Sequence, residues 1–368
     1  MNRTAKILTI YDNQSNYGNR LQNYAVQEVL KSLGVDALTI SFEGHSVTTA
    51  ERMKALLQKL SGYRLPGDQT YWKAVFPRRI VFDKFNQCYI PSRYVKSIAE
   101  IGEADYFVTG SDQVWNANWF GCNSLRKDAF LLSFAKPEQK VCFSPSFGVE
   151  ELPEKWTEWF RTQLSTFPQI SVREEAGARI VRELTGKEAE VLIDPTMMLD
   201  ASDWLKIAKA PKKVDCDRPY ILTYFLGGRS ERVERDLKRY AEEHGFAVYH
   251  LTGQTQPELY AVGPSEFIFL VSHAKLVLTD SFHACVFSFL FQKPFLVYAR
   301  EGKETNMLSR LDTLLKKFHL ERKYADSGLP NELLEADYGE GYQQLKTERE
   351  KTLAFLEKSM RLQGRTDE

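Results

Sequence analysis

Short apolar runs and helically spaced apolar positions alternate at the beginning of the chain. Lys6–Ile10 is an apolar run, and the apolar positions from Leu21 to Leu33 then recur with the spacing of a helix. Gly34 ends this helix, and Asp36–Phe42 is the next apolar run. A strand, a polar loop, a helix and a second strand make one βαβ unit. The pattern therefore predicts a parallel α/β sheet.

The alternation continues to residue 298 and is interrupted once. Further strands are predicted at Tyr106–Thr109, Lys140–Ser144, Gln169–Val172, Glu190–Ile193, Tyr220–Phe225, Ala247–Leu251, Leu276–Thr279 and Phe295–Tyr298. Further helices are predicted at Arg78–Tyr89, Glu174–Leu184, Arg229–His244, Ser265–His273 and Phe282–Phe291. The charged stretch Ala201–Asp217 is predicted to be a linker. Two alternating series predict an α/β protein with two Rossmann-like, doubly wound domains.

The predicted domain limits follow from that interruption. Residues 1–205 are expected to form the N-terminal Rossmann-like domain and residues 215–335 the C-terminal one. Residues 338–368 contain a charged amphipathic helix, Tyr342–Leu362, that is expected to pack back on the first domain. Ligands of doubly wound domains bind outside the carboxyl ends of the strands, so the site is expected in the cleft between the domains.

Composition and charge exclude several classes of function. The chain has 368 residues, of which 43% are hydrophobic and 27% charged, as in globular proteins of about two domains. Its 49 basic and 49 acidic side chains cancel, so no overall charge attracts nucleic acid, and an anion must be held by a local site. No run reaches the ~18 apolar residues of a membrane span. We therefore expect no nucleic-acid partner and no stable membrane insertion.

Cysteine usage and the N-terminus point to a reducing compartment. The five cysteines are scattered singly, which favours reduced thiols. No apolar segment of a signal peptide follows the N-terminal Met1. We therefore expect a cytoplasmic protein, and the sequence leaves assembly into a homo-oligomer open. No cluster of His, Cys, Asp and Glu has the spacing of metal ligands, so no metal is expected.

The first candidate site residues open the first predicted helix. Tyr17, Gly18 and Asn19 follow the first predicted strand. Glycine lets a ligand approach the backbone, and a helix N-terminus favours anions. The alternative is a turn and an N-cap that bind nothing.

Another polar segment follows the strand that ends at Thr109. Gly110 and Ser111 are small, and Asp112 is either a general base or the acceptor of an Asx turn or helix cap. Trp115 and Trp119 either stack on a sugar or pack in the core, which is commoner for aromatic residues.

Cationic candidates follow later strands. Arg173 directly follows a predicted strand and can clamp a carboxylate or a phosphate, unless it forms a surface pair with Glu174 or Glu175. His283 lies in the first turn of a predicted helix, where it either titrates in the cleft or is a structural histidine. Arg310, in a late helix, either reaches the cleft or is a surface charge.

In their order along the chain, these segments resemble the polysaccharide pyruvyl transferase family. The number and order of the matching motifs carry the resemblance, which spans residues 7 to about 320. The motifs are Tyr17-Gly18-Asn19 with Gln22 and Gln27, Asp105 to Trp115, Ser144 to Gly148, Ser171 to Glu174, Asp194 to Thr196, Gly263 to Phe267, Thr279 to His283, and Met307 to Leu311.

The resemblance implies a glycosyltransferase-B-like fold and a reaction. Pyruvate would be transferred from phosphoenolpyruvate to two hydroxyls of a sugar, forming a ketal, in an exopolysaccharide or another cell-surface polysaccharide or its lipid-linked precursor. Phosphoenolpyruvate is the donor substrate, and no cofactor is implied. The N-terminal domain would hold the acceptor and part of the donor site, and the C-terminal domain the rest of the donor site.

The resemblance also implies roles for individual residues. His283 and Asp112 would be catalytic. The residues expected to bind the donor are Arg173, Ser281, Phe282 and Arg310. The other residues expected in the cleft are Tyr17, Gly18, Asn19, Gly110, Ser111, Trp115 and Ser146.

Ser281 departs from the family pattern. Many members have an arginine two residues before the histidine, whereas this chain has Ser281. Arg310, Arg300 and Lys303 are the candidates to supply the missing cation. Two alternative functions stay open: a nucleotide-sugar-dependent glycosyltransferase of surface polysaccharide synthesis, and a ligand-binding homologue without catalysis.

Overall fold

The computed structural model describes residues 3–11, 15–43, 47–61, 71–120, 124–253, 256–300, 308–325 and 336–362. The strands are β1 (Arg3–Leu8), β2 (Val35–Ser41), β3 (Ser92–Tyr94), β4 (Tyr106–Thr109), β5 (Lys140–Cys142), β6 (Ser171–Val172), β7 (Glu190–Val191), β8 (Tyr220–Tyr224), β9 (Ala247–His250), β10 (Leu276–Thr279) and β11 (Phe295–Val297). The helices are α1 (Tyr17–Ser32), α2 (Thr49–Ser61), α3 (Phe76–Tyr89), α4 (Ser124–Phe130), α5 (Glu154–Ser165), α6 (Glu175–Thr185), α7 (Ala201–Ile207), α8 (Glu231–His244), α9 (Pro257–Tyr260), α10 (Pro264–His273), α11 (Phe282–Leu290), α12 (Leu308–Lys317) and α13 (Gly339–Ser359).

The N-terminal half contains a parallel sheet with the strand order of a Rossmann fold. The order is β3-β2-β1-β4-β5, with β1 in the centre. Ile7 of β1 pairs with Thr39 of β2 on one side and with Val108 of β4 on the other, and all three are buried. Strands β6 and β7 form a separate parallel pair. Because parallel sheets are covered on both faces, Ala5, Ile7 and Leu8 of β1 and all four residues of β4 are buried.

The C-terminal half contains a second parallel sheet, in the order β11-β10-β8-β9. Two parallel sheets flanked by helices form the glycosyltransferase-B-like arrangement that the resemblance implies, so the predicted fold class is confirmed. The chain passes from the first half to the second between β7 and β8. The limits at 205, 215 and 335 stay a prediction.

The segment predicted to be a linker begins with a helix. The first residues of Ala201–Asp217 form α7, which begins with a capping box at Asp200. Trp204 is fully buried, and its indole nitrogen donates to the carbonyl of Thr196 at 3.1 Å. The charged composition of Ala201–Asp217 did not predict this short helix. The burial of one tryptophan is enough to anchor it.

The two halves share an aromatic core where they meet. Tyr17 of α1 stacks on Phe267 of α10, with ring centroids 4.6 Å apart, and Phe82 of α3 lies 5.3 Å from Tyr17. Arg78 of α3 donates to the Tyr17 hydroxyl at 2.8 Å and to the carbonyl of Tyr260 at 2.6 Å. These contacts join α1 and α3 of the first half to α9 and α10 of the second.

The C-terminal helix returns to the first half, as expected. Phe355 and Leu356 of α13 are buried in a cluster that includes Ile7 of β1. Arg349 donates from Nε to the carbonyl of Met197 at 2.7 Å. The helix begins three residues before the predicted Tyr342. Among the described residues, no helix is both long enough and apolar enough to cross a membrane.

Candidate functional site

The candidate site lies at the carboxyl ends of parallel strands from both halves. Asp112 follows β4, Arg173 follows β6, and Asp194 follows β7. From the other half, His283 lies in the first turn of α11, directly after β10. Since carboxyl ends of parallel strands gather at one edge, residues far apart in sequence meet here.

Asp194 is the centre of the polar network. Its Oδ2 accepts a hydrogen bond from Arg173 Nη1 at 2.7 Å and lies 2.9 Å from the hydroxyl of Ser111. His283 Nε2 lies 3.7 Å from the same oxygen, which is too long for a hydrogen bond. The backbone nitrogen and hydroxyl of Thr196 donate to Oδ1 at 3.0 and 2.7 Å. One buried carboxylate thus joins residues of both halves.

The charges around Asp194 keep it ionised. Burial alone raises the pKa of a carboxyl group, but His283, Arg173 and the bond from Thr196 together hold the pKa of Asp194 well below its usual range. For the Arg173 guanidinium, burial alone would lower the pKa. The neighbouring carboxylates of Asp194, Asp112 and Glu174 outweigh burial and raise the pKa of Arg173. The pair therefore stays charged at every physiological pH.

Asp112 is held from both sides in a left-handed conformation. Its Oδ2 accepts a hydrogen bond from Asn19 Nδ2, and its Oδ1 accepts one from the backbone nitrogen of Gln113 at 2.8 Å. Arg173 Nη2 lies 3.9 Å from Oδ1. The φ of Asp112 is +70°, in a region that non-glycine residues rarely occupy. Such backbone strain is commonly found where a side chain must point into a site.

His283 packs directly against Gly18. A Cβ at Gly18 would overlap the Nδ1, Cε1 and Cγ atoms of the imidazole. Only glycine therefore leaves room for the ring in this position. His283 is 7% exposed and faces the cavity, and its Nε2 has no hydrogen-bond partner among the described residues.

A polar cavity of about 500 Å³ lies in front of these groups. It is lined from the first half by Asn19 and Asp112 and from the second by His283 and Arg310, among others. Arg310 is buried, and its Nε has no hydrogen-bond partner among the described residues. Burial, together with the neighbouring Arg173, lowers the pKa of Arg310 to about 10. A buried cation in this state favours an anionic ligand.

The residues predicted to bind the donor lie around this cavity. Ser281, Phe282 and Arg310 line it. Arg173 lies behind Phe282, with its guanidinium carbon 4.5 Å from the ring centroid. Arg300, one of the substitutes for the missing arginine, also lines the cavity and lies 3.3 Å from Asp280 Oδ2. Lys303, the third substitute, lies outside the described residues.

Of the residues predicted to line the cleft, three are buried in contacts away from the cavity. Tyr17 is buried in the shared aromatic core, where its hydroxyl donates to the carbonyl of Val262 at 3.1 Å. Trp115 is fully buried, and its indole nitrogen donates to the carbonyl of Phe130 at 3.0 Å. Their place next to site residues in sequence was misleading, because a large aromatic ring gains more from the core than from the cleft.

Ser146 is the third of these corrections. It is fully buried, and its hydroxyl donates to Glu174 Oε1 at 3.0 Å. The same oxygen accepts from the backbone nitrogens of Phe147 and Gly148 at 2.7 and 3.1 Å. Ser146 and Glu174 therefore support the loop behind the site. The half-exposed Trp119, rather than Trp115, lines the cavity.

Gly110 and Ser111 lie behind the cavity and shape it. Gly110 has φ +118°, and a Cβ there would overlap the carbonyl oxygen of Phe143. The backbone nitrogen of Ser111 donates to Gln22 Oε1 at 3.0 Å, and its hydroxyl reaches Asp194. Both residues hold the loop that carries Asp112.

Sequence reasoning missed Asp194 as a site residue. It directly follows a predicted strand and belongs to one of the segments that carry the resemblance. The argument that selected Arg173 would also have selected it. Among the described residues, no group of three or more His, Cys, Asp or Glu is placed to hold a metal ion; the expectation of a metal-free site stays a prediction.

The chain matches known proteins at two levels. In sequence, the family model "Polysaccharide pyruvyl transferase" matches residues 16–302. No protein of curated function matches the chain.

Among solved structures, the fold is similar to that of UDP-GlcNAc 2-epimerase from Neisseria meningitidis bound to UDP-GlcNAc, with a TM-score of 0.46 and 10% identity over 95% of this chain and 99% of that chain. It is similar to S. aureus MnaA in a co-structure with UDP (TM-score 0.44, 12% identity, 97% and 91% covered). It is also similar to the glycosyltransferase SsfS6 from Streptomyces sp. SF2575 (TM-score 0.36, 12% identity, 97% of each chain covered). These likenesses carry no argument about activity.

Proposed function

Because the chain belongs to the polysaccharide pyruvyl transferase family, we propose that it transfers pyruvate from phosphoenolpyruvate to two hydroxyls of a sugar in a surface polysaccharide or its lipid-linked precursor. The product is a cyclic ketal, and inorganic phosphate is released. The observation that carries the proposal is the convergence of Arg310, His283 and Asp112 at one polar cavity, with Arg173 buried directly behind them.

The charge of the cavity suits the donor. Phosphoenolpyruvate has a carboxylate and a phosphate, and both need cationic partners. Arg310 carries a buried charge whose Nε has no hydrogen-bond partner among the described residues, and Arg300 lines the same wall. Both line the cavity together with Ser281, which stands in place of the usual arginine. A donor anion would lower the cost of burying Arg310.

The reaction can proceed with protons and cations alone. The first sugar hydroxyl bonds through its oxygen to C2 of phosphoenolpyruvate while a proton adds to the C3 methylene, which becomes a methyl group. The second hydroxyl oxygen then bonds to C2, and phosphate leaves with its bridging oxygen. Of the two hydroxyl protons, one replaces the proton given to carbon and the other leaves with the phosphate.

Two residues are suited to moving these protons. His283 lines the cavity, its buried Nε2 makes no hydrogen bond to described residues, and it is the proposed acid that protonates the methylene carbon. Asp112 lines the cavity and is the proposed base for the attacking hydroxyl. Asn19 and Gln113 fix the Asp112 carboxylate, and the close packing against Gly18 fixes the position of the imidazole. Cations placed toward the leaving phosphate stabilise the charge that develops there.

A thermal-shift comparison of donors tests the proposal. We expect phosphoenolpyruvate to raise the melting temperature and nucleotide sugars to leave it unchanged, since a ligand at 100 times its Kd stabilises by about 2.7 kcal/mol. Arg310→Gln should weaken binding by ~2–3 kcal/mol, because it removes a buried charged donor that lines the cavity. Arg179→Gln, at an exposed arginine of α6, is the matched control.

Product analysis separates this reaction from its alternatives. Incubation with phosphoenolpyruvate and a glycan acceptor should release phosphate and add the mass of a pyruvyl ketal. Addition of a hexosyl mass from a nucleotide sugar would instead identify a glycosyltransferase. Retained phosphoenolpyruvate binding without any product across acceptors would indicate a ligand-binding homologue.

A further inference from the structure

Helix α2 carries three large apolar side chains on the outside. Met53, Leu56 and Leu57 have the spacing i, i+3, i+4 and therefore share one face of the helix. They are 55%, 50% and 58% exposed, and none belongs to a hydrophobic cluster of the described residues. A surface helix of a globular protein normally turns such a stripe toward the core.

Polar contacts hold α2 with this apolar face outward. Arg52 of α2 pairs with Asp83 of α3, and Glu51 of α2 lies 2.8 Å from Arg79 of α3. The hydroxyl of Tyr71 donates to Glu51 at 2.9 Å. Glu51 and Arg52 thus face α3, whereas Met53, Leu56 and Leu57 face away from it.

The whole chain has zero net charge, but the exposed charges on α2 and in the segments that follow include three lysines. Lys54 of α2 is exposed, as are Lys73 and Lys84 in the segments that follow. Outward apolar side chains beside exposed lysines are typical of a helix that lies in the plane of an anionic lipid surface.

We propose that the α2 patch, formed by Met53, Leu56 and Leu57, docks the protein peripherally on an anionic lipid bilayer. The three side chains enter the boundary between headgroups and acyl chains, and Lys54 contacts the headgroups. A second copy of the chain is a poorer occupant, because symmetric pairing would bring the exposed lysines together. Three side chains are also a small part of the ~800 Å² that each partner buries in a stable interface.

The proposal goes beyond the proposed reaction and does not depend on it. Docking would bring the cavity to the surface where lipid-linked precursors are found, but lipid binding is measured without donor or acceptor. A failure of pyruvyl transfer would leave the docking result unaffected, and the reverse also holds.

Co-sedimentation with vesicles tests the proposal. The full chain should bind mixed vesicles of phosphatidylglycerol and phosphatidylcholine and bind phosphatidylcholine vesicles much more weakly. The triple variant Met53→Ser, Leu56→Ser, Leu57→Ser should lower the partition coefficient about tenfold or more. Lys54→Glu should lower it about fivefold, and by less at high salt. Leu205→Ser, at a residue of α7 that is 46% exposed, is the matched control and should bind like the parent protein.

The remaining outcomes overturn the proposal. Failure of the parent protein to bind either vesicle would do so, as would equal binding by the triple variant. A dimer seen by light scattering that the triple variant converts to a monomer would assign the α2 patch to a second copy. Circular dichroism checks that each variant is folded, and the single change Leu56→Ser gives the same test if the triple variant is not.

Discussion

Two regions meet at the N-terminus of α1, and they hold the halves of the molecule together in opposite ways. Tyr17 points into an aromatic core, where its ring stacks on Phe267 and its hydroxyl is buried beside Arg78. Gly18 and Asn19, the next two residues, face the polar network, where they contact His283 and Asp112. The boundary between the apolar contact and the polar contact therefore lies between two consecutive residues, Tyr17 and Gly18.

The two regions differ in how much stability is lost when one group is removed. The aromatic core is held by many contacts of similar kind, so the loss of one atom removes only a small part of its stabilisation. The polar network depends on one carboxylate, Asp194, that is shared by Arg173, Ser111 and His283. Removing Arg173 or Asp194 leaves the other buried charge without its partner, which is costly. The aromatic region should therefore govern stability alone, and the polar region both stability and chemistry.

The largest expected effect is the loss of turnover in His283→Ala. If His283 protonates the methylene carbon, kcat should fall by roughly 10²–10⁴-fold. The melting temperature should change little, because the Nε2 of His283 makes no hydrogen bond to described residues. Phosphate release from phosphoenolpyruvate in the presence of acceptor measures kcat, and differential scanning fluorimetry measures the melting temperature.

His273→Ala is the matched control for this variant. His273 is exposed on α10, away from the cavity, so its replacement should leave both quantities unchanged. If His283→Ala lost stability but kept its turnover, the imidazole would be a structural group and the assignment of the acid would be wrong.

Asp194→Asn should be the most destabilising single change in the polar network. At neutral pH it leaves Arg173 buried without its carboxylate, at a cost of roughly 3–5 kcal/mol. The pKa of Asp194 is held below its unfolded value, so its stabilisation is complete above the unfolded pKa of about 3.9 and is lost as pH falls toward the lower, folded value. The difference between parent and variant should therefore shrink in acid.

Urea unfolding at neutral pH and below pH ~4 measures this difference. Asp36→Asn is the control, because Asp36 is an exposed carboxylate on β2. A difference between parent and Asp194→Asn that stayed constant over the whole range would show that the carboxylate is not ionised in the way the network requires.

The contrast between the regions also explains which features of the fold and the site could be predicted from the sequence. Periodicity predicted the strands of both sheets, because apolar runs in a parallel sheet are nearly continuous. It missed β3, since Ser92–Tyr94 is a short edge strand of exposed residues. Position after a strand correctly brought Asp112, Arg173 and His283 to one place, because carboxyl ends of parallel strands converge.

Position after a strand could not distinguish residues that line the cavity from residues that pack in the aromatic core. Tyr17 and Gly18 are neighbours in one motif, yet only three-dimensional packing decides which faces the ligand. Trp115 and Trp119 differ in the same way, four residues apart, with the first in the core and the second at the cavity. The shared role of Asp194 depends on contacts between residues about 20 to 90 positions apart, which no local pattern contains.

Gly18→Ala tests the polar region by displacing the imidazole of His283. The new methyl group would overlap the imidazole of His283, so the ring must shift away from its place at the cavity. A misplacement of about 1 Å can cost about 10²-fold in rate, and we expect a fall in kcat of that order. Affinity for phosphoenolpyruvate, measured by calorimetry, should fall less than kcat, because Arg173 and Arg310 stay in place.

Gly339→Ala is the control for this substitution. A Cβ there meets only Asp337 Oδ1 at 3.4 Å, an ordinary contact at the start of α13, so kcat should be unchanged. Parent-like turnover in Gly18→Ala would mean that the packing of His283 on Gly18 has no part in the chemistry.

Tyr17→Phe should have the smallest effect and should affect stability alone. The ring and its stacking on Phe267 remain, whereas the hydroxyl that bridges Arg78 and the carbonyl of Val262 is lost. Leaving these buried groups short of a partner costs about 1–2 kcal/mol, within the range for an unsatisfied buried polar group. Arg78 keeps its bonds to the carbonyls of Tyr260 and Ser15, which limits the loss. The urea midpoint should therefore fall while kcat and the affinity for phosphoenolpyruvate stay at the parent values. A fall in kcat at unchanged stability would place the Tyr17 hydroxyl in the chemistry of the cavity, and the division between the aromatic and polar regions would then be wrong at its boundary.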